Sequence, residues 1–161
     1  MYRVAIITAS DKGAMGLRED KSGPEIEEAC RDMAEVVCYE VIADERTALS
    51  AAMRRICDGG LADVIFTTGG TGFSPRDITP EATLDICERL CPGIPEAMRA
   101  ASMEITDRAM LSRAVSGIRK GTLIINLPGS PTAVCECLES ILPALWHGID
   151  MLCGTASECA R

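Results

Sequence analysis

An apolar run, Ala62-Asp63-Val64-Ile65-Phe66-Thr67, leads straight into Gly69-Gly70-Thr71-Gly72, and Thr79-Pro80 opens a helix soon afterwards. A β-branched run, a glycine loop and a proline at the first helical position spell strand, loop, helix. Three glycines in four residues leave backbone N–H groups uncovered and permit positive φ. Such a loop, above a strand and close to a helix N-terminus, suits an anion such as a phosphate. It also carries Arg76 and Asp77. It is not a Walker A loop, because no Gly-Lys-Ser/Thr follows, and it is not the G-x-G-x-x-G fingerprint. Taken alone it is also an ordinary tight turn, with Asp77 as a cap or turn residue.

The rest of the chain repeats the alternation. Apolar runs at 3–8, 36–42, 62–67 and 122–127 predict strands. Helical spacing predicts helices over 24–33, over 49–57 with Asp58-Gly59-Gly60 closing it, over 80–90 and over 95–105. Ser130 and Pro131 read as N-cap and first helical position of a further stripe through Val134, Cys137, Leu138 and Ile141, followed by a last helix over 144–152. The stretch 106–117 fits neither period. The alternation indicates an α/β fold with a mostly parallel sheet covered on both faces. With 161 residues, the chain is expected to form one domain over 1–153 and a short mobile tail over 154–161.

The formal net charge of −8 argues against a broad nucleic-acid surface, which needs basic patches. No apolar run approaches the roughly 20 residues of a membrane span, and Met1-Tyr2-Arg3-Val4 begins a strand at once with no secretory signal, so the expected location is the cytoplasm. The nine cysteines are odd in number and include no C-x-x-C pair, which predicts reduced, mostly buried thiols rather than a zinc site.

In a parallel sheet, loops that follow strands share the carboxyl edge, where ligands bind. Ser10-Asp11, Asp44, the glycine loop with Asp77, and Pro128-Gly129-Ser130 each follow a strand and are expected to form one pocket. Asp44 and Asp77 would repel phosphates held between them unless a divalent cation intervenes, and Mg²⁺ is the usual one. That arrangement suits transfer chemistry at a nucleoside triphosphate. Ser112-Arg113 and Arg119-Lys120 are either solvated surface charge or, with Arg76, phosphate-neutralising groups.

The stretch Thr67-Thr68-Gly69-Gly70-Thr71-Gly72-Phe73-Ser74-Pro75-Arg76-Asp77-Ile78-Thr79-Pro80-Glu81-Ala82-Thr83 closely resembles the signature of the molybdopterin adenylyltransferase family, the MogA/MoaB-like proteins that include the gephyrin G domain. Ser10-Asp11-Lys12, Asp44-Glu45, Ala109-Met110-Leu111-Ser112-Arg113, Gly117-Ile118-Arg119 and Asn126-Leu127-Pro128-Gly129-Ser130-Pro131 extend the resemblance over nearly the whole chain. Lys12 stands where the family often has Arg, and Asp107 where it often has Pro. The resemblance implies a three-layer α/β/α fold and a homotrimer. It also implies Mg²⁺- and ATP-dependent adenylylation of molybdopterin with release of pyrophosphate, within molybdenum cofactor biosynthesis. A downstream molybdenum-insertion protein is among the implied partners. By the same resemblance, Asp44 and Asp77 are the functional acids and Mg²⁺ ligands. Gly69, Gly70, Thr71 and Gly72, with Pro128, Gly129 and Ser130, form the nucleotide and pterin-phosphate walls. Ser10, Asp11, Ser112 and Arg113 belong to the same pocket. The alternative within the family is a MoaB-type protein that binds pterin without adenylylating it.

Overall fold

The computed structural model describes residues 1–155, so the tail expected from 154 onward lies, from 156, outside the described residues, as does Cys159. Six strands form one sheet: β1 (Tyr2–Ala9), β2 (Ala34–Ile42), β3 (Val64–Thr68), β4 (Arg89–Leu90), β5 (Ser116–Arg119) and β6 (Thr122–Leu127). Their order is β2-β1-β3-β6-β5-β4. β2, β1, β3 and β6 run parallel, and β5 and β4 complete one edge antiparallel. The helices are α1 (Asp11–Ala14), α2 (Ser22–Cys30), α3 (Arg46–Asp58), α4 (Thr79–Leu84), α5 (Gly93–Met103) and α6 (Pro131–Cys153), with a 3₁₀ turn at Asp107–Leu111.

The period of two along the central strands divides the core between two faces. Val4, Ile6, Phe66 and Ile125 point to one side, where Ile26 of α2, Met98 of α5 and Val134, Leu138, Ile141 and Leu145 of α6 cover them. Ala5, Ile7, Ile65 and Ile124 point to the other, against Leu49, Met53 and Ile56 of α3 and Ala82 of α4. The result is three layers, with β1, β3 and β6 apolar on both faces because both are covered. Each fully buried Ile or Leu contributes about 1.5–3 kcal/mol, which is why these strands are legible as unbroken apolar runs. Tyr2 stacks on Trp146 of α6 at 4.8 Å, fixing the C-terminal half of that helix to the start of β1.

Four expectations change. The helix expected over 80–90 ends at Leu84, and Arg89–Leu90 instead pairs with β5 as β4. β5 begins at the end of the stretch that fits neither period and continues past it to Arg119; it is only four residues long and carries Gly117, where a Cβ would meet Cys87 Sγ at 2.5 Å. The two helices expected after Ser130 are one 23-residue helix that runs through Pro143. Pro143 is exposed, so the carbonyl it leaves unpaired can meet water. The second helix starts at Ser22 and ends at Cys30, leaving Met33 exposed rather than in the stripe. The eight described cysteines are free thiols, and burial pushes Cys30 up to about 12. Among the described residues no helix is long and apolar enough to cross a membrane.

Candidate active site

β1, β2, β3 and β6 end on the same edge, and the loops that follow them converge there. They enclose a cavity of about 550 Å³ whose walls include Ser10, Asp20, Asp44, Gly69, Gly70, Asp77 and Gly129. The glycine loop is the floor on which the others rest. Gly69 and Gly70 take φ of +89° and +67°. A Cβ on Gly69 would stand 2.5 Å from the Ala9 carbonyl oxygen, and one on Gly70 would stand 2.3 Å from Thr79 Oγ1 and 3.2 Å from Asp44 Oδ1. Both conformation and space therefore demand glycine. Gly129 packs against the loop less tightly, since its Cβ would meet Gly69 Cα at 3.3 Å.

Asp44 is half-buried at the end of β2. Its Oδ2 accepts from Asp11 N at 3.0 Å, and its own N–H donates to Asp11 Oδ1 at 3.0 Å. This reciprocal pair locks the first loop to the second. Burial raises the Asp44 carboxyl above its usual range; the Asp11 N–H opposes that, while the charges of Asp11 and Asp77 add to it. Arg76 crosses from the glycine loop to Asp11 at 2.8 Å and Glu45 at 2.9 Å. Its guanidinium holds the Asp11 carboxyl below the ordinary range. Asp77 Oδ2 accepts from Ser74 N at 2.9 Å, closing a tight turn that aims the carboxyl at Gly72. Ser10 caps α1 by accepting from Gly13 N at 3.0 Å.

A second cavity of about 280 Å³, mostly apolar, lies beside the first between α5, the 3₁₀ turn and α6. Thr71, Gly72, Ser112 and Pro128 line it. The residues expected in one pocket thus fall into two cavities that meet along the glycine loop. Three of them line neither. Asp11 is the lock on Asp44. Arg113 donates to the carbonyls of Gly72 at 2.7 Å and Asp77 at 2.6 Å and pairs with Glu81, so it braces the loop from outside. Ser130 sits at the N-cap position of α6 but makes no side-chain cap bond. Arg119 and Lys120 pair with Asp58 at the start of β6, the opposite edge of the sheet, and play no part here.

Comparison with known proteins fits this geometry. Residues 5–147 match the model of the family described as "Probable molybdopterin binding domain". The chain belongs to this family. It is 41% identical over 157 residues to the molybdopterin adenylyltransferase of Helicobacter pylori, covering 94% of this chain and 88% of that protein. The crystal structure of the molybdopterin biosynthesis enzyme MoaB from Thermus thermophilus superposes with a TM-score of 0.91 at 44% identity, covering 96% of this chain and 98% of the other. The tungsten cofactor synthesizing protein MoaB from Pyrococcus furiosus superposes with a TM-score of 0.86 at 37% identity, covering 94% and 97%.

For this member of the family, sequence reading alone passed over Asp20. Its Oδ1 accepts from Ser22 N at 2.9 Å and Gly23 N at 3.2 Å, and its Oδ2 from Tyr39 Oη at 2.5 Å and from Thr8 Oγ1. Burial pushes its carboxyl up, but these four bonds outweigh burial and hold it below the usual range. Asp20 is therefore a saturated anchor at the cavity wall, not a spare ligand. The signal was an acid two residues before a helix that opens Ser22-Gly23-Pro24.

The donors present suit a hard cation. Asp44 and Asp77 supply carboxylate oxygens, and the buried Thr79 hydroxyl beside Gly70 has no partner among the described residues. Among those residues no group of three His, Cys, Asp or Glu could hold a metal by itself. A Mg²⁺ ion here would draw its remaining oxygens from phosphates and water, as that ion commonly does.

Proposed function

We propose that this protein adenylylates molybdopterin, using ATP and Mg²⁺ and releasing pyrophosphate. The observation that carries the reading is the placement of Asp44 and Asp77 on one glycine cradle, in a cavity large enough for phosphates and beside a smaller apolar one. The polar cavity takes the phosphates and the apolar cavity a flat ring. Asp44 and Asp77 would hold Mg²⁺, which supplies charge neutralisation on the transferring and leaving phosphates.

The glycine loop positions the chain of phosphates through fixed backbone dipoles. A terminal phosphate oxygen of molybdopterin attacks the α-phosphorus of ATP. The bond from that phosphorus to the bridging oxygen breaks, and pyrophosphate leaves with the electron pair. The nucleophile is already ionised, so no residue needs to act as a strong base. Asp11 and Arg76 fix Asp44, while Arg113 and Glu81 fix the loop that carries Asp77. The homologues named as adenylyltransferases and as cofactor-synthesis proteins support this assignment. Location in the cytoplasm, assembly as a homotrimer and delivery to a downstream metal-insertion protein belong to the same proposal.

The test is product analysis. Protein incubated with molybdopterin, ATP and Mg²⁺ should release pyrophosphate and form adenylyl-molybdopterin in equal amounts, only when all three are present. Bound pterin without either product would instead support the non-catalytic MoaB-type reading.

A further inference from the structure

The acids of the main cavity are easily placed, but an anionic ligand also needs cations. Arg76 is held by Asp11 and Glu45, and Arg113 by Glu81 and two loop carbonyls. Neither guanidinium is at liberty to meet a phosphate without breaking the lock it forms. Two other basic side chains line the cavity, Arg18 and Lys21, both on the segment between α1 and α2. Among the described residues neither makes an ion pair. Both are exposed, in a protein of net charge −8.

Their backbone is not loose. Asp20 sits between them in sequence, and its four hydrogen bonds tie the segment to β1 through Thr8, to β2 through Tyr39 and to the first turn of α2. Gly23 completes the fit, because a Cβ there would stand 2.1 Å from Tyr39 Oη. Ser22 Oγ donates to the Gly129 carbonyl at 2.8 Å, joining the segment to the late loop of the same cavity. Two uncommitted cations are thus mounted on an anchored backbone at the wall of a cavity that also contains Glu19, Asp44 and Asp77.

We propose that Arg18 and Lys21 are the phosphate-holding side chains of this cavity, a specificity element for anionic substrates. The inference rests on the adenylyl-transfer reading in taking the anion to be a phosphate. Arg18 offers a planar fork of donors and Lys21 a point charge, the two ways side chains commonly hold phosphate. Each charge-assisted contact corresponds to about a tenfold change in binding.

The experiment compares native protein with Arg18→Ala, Lys21→Ala, the double variant and Lys21→Arg. Inorganic phosphate and pyrophosphate, with Mg²⁺, are titrated calorimetrically, and KM is measured separately for ATP and for molybdopterin. Each single alanine variant is expected to weaken anion binding about tenfold, the double variant more, and Lys21→Arg about threefold or less. A rise in KM for ATP assigns the cations to the nucleotide's polyphosphate; a rise for molybdopterin assigns them to the pterin phosphate. Anion affinities and both KM values in the double variant within twofold of native, with an unchanged melting temperature, would overturn the proposal. The titrations are read without turnover, so absence of adenylylation in native protein counts against the proposed reaction, while failure to bind either anion counts against this subsite.

Discussion

At the scale of single residues, the glycine loop is limited by space as well as by conformation. Gly69→Ala puts a Cβ into the Ala9 carbonyl and forces an alanine to φ of +89°. A cost of about 1–3 kcal/mol follows, which for a chain of this size lowers the melting temperature by about 2–12 °C. Thermal unfolding followed by circular dichroism checks it, and an unchanged midpoint would contradict the described geometry. Asp77 tests chemistry instead. Asp77→Asn keeps an oxygen that can accept from Ser74 N but removes the charge. The expected outcome is retained fold and pterin binding with turnover reduced at least about 100-fold; turnover unchanged would remove Asp77 from the cation site. Residue identity was readable at these positions because glycines in series and an acid after them restrict what the backbone and the charge can do. Arg113 was not readable in the same way. Its bracing of Gly72 and Asp77 joins residues 41 and 36 positions away, a pairing no local pattern encodes.

Among the elements, the four parallel strands were legible, β2 included although its residues alternate between exposed and half-buried. β1, β3 and β6 are continuous apolar runs, and β6 has the bounds expected for it. β4 and β5 escaped because a two-residue strand and a four-residue strand are too short for any period to show. α4 was overextended because Ala82 and Ile86 share a helical spacing although the chain turns at Asp85. The elements are joined under the loop by Asn126. Its Nδ2 donates to Thr67 Oγ1 and Thr83 Oγ1, each at 2.9 Å, and its Oδ1 accepts from Val115 N at 3.2 Å. One side chain thereby ties β6 to β3, to α4 and to the strand-entry segment before β5. Asn126→Ala removes the partners of Thr67 Oγ1 and Val115 N, while Thr83 Oγ1 keeps its bond to the Thr79 carbonyl, at about 1–3 kcal/mol for each group not rescued by water. Urea denaturation should show a loss of about 2–5 kcal/mol; a loss below about 0.5 kcal/mol would mean the network does not carry the junction.

Over the whole molecule, the convergence of four loops was legible before any coordinate, because parallel strands dictate which loops share an edge. What the topology alone did not give was the division into two cavities, which depends on where α5 and the 3₁₀ turn pack against α6. The distribution of paired acids sets the response to pH. Arg119 and then Lys120 hold Asp58 at about 2, Arg113 holds Glu81 low, and Arg46 holds Asp85 low. These groups have folded values below their unfolded ones, so their stabilisation is complete above about pH 4–5 and is lost as pH falls through the folded values. Urea midpoints should therefore fall between pH 5 and about pH 2, more shallowly in Asp58→Asn; a flat profile in the native protein would contradict the ion pairs. Light scattering should return a trimer mass; a monomer would count against that part of the proposed assembly. Whether the sheet-edge cavity transfers an adenylyl group is read by a single-turnover experiment. Protein in excess over ATP labelled at the α-phosphorus is mixed with molybdopterin and Mg²⁺, in the native form and as Asp44→Asn and Asp77→Asn. Label is expected to move to molybdopterin in the native protein, with transfer at least about 100-fold slower in either variant while pterin stays bound; label remaining in ATP with native protein, or moving equally fast in all three, would rule out adenylyl transfer at this cavity.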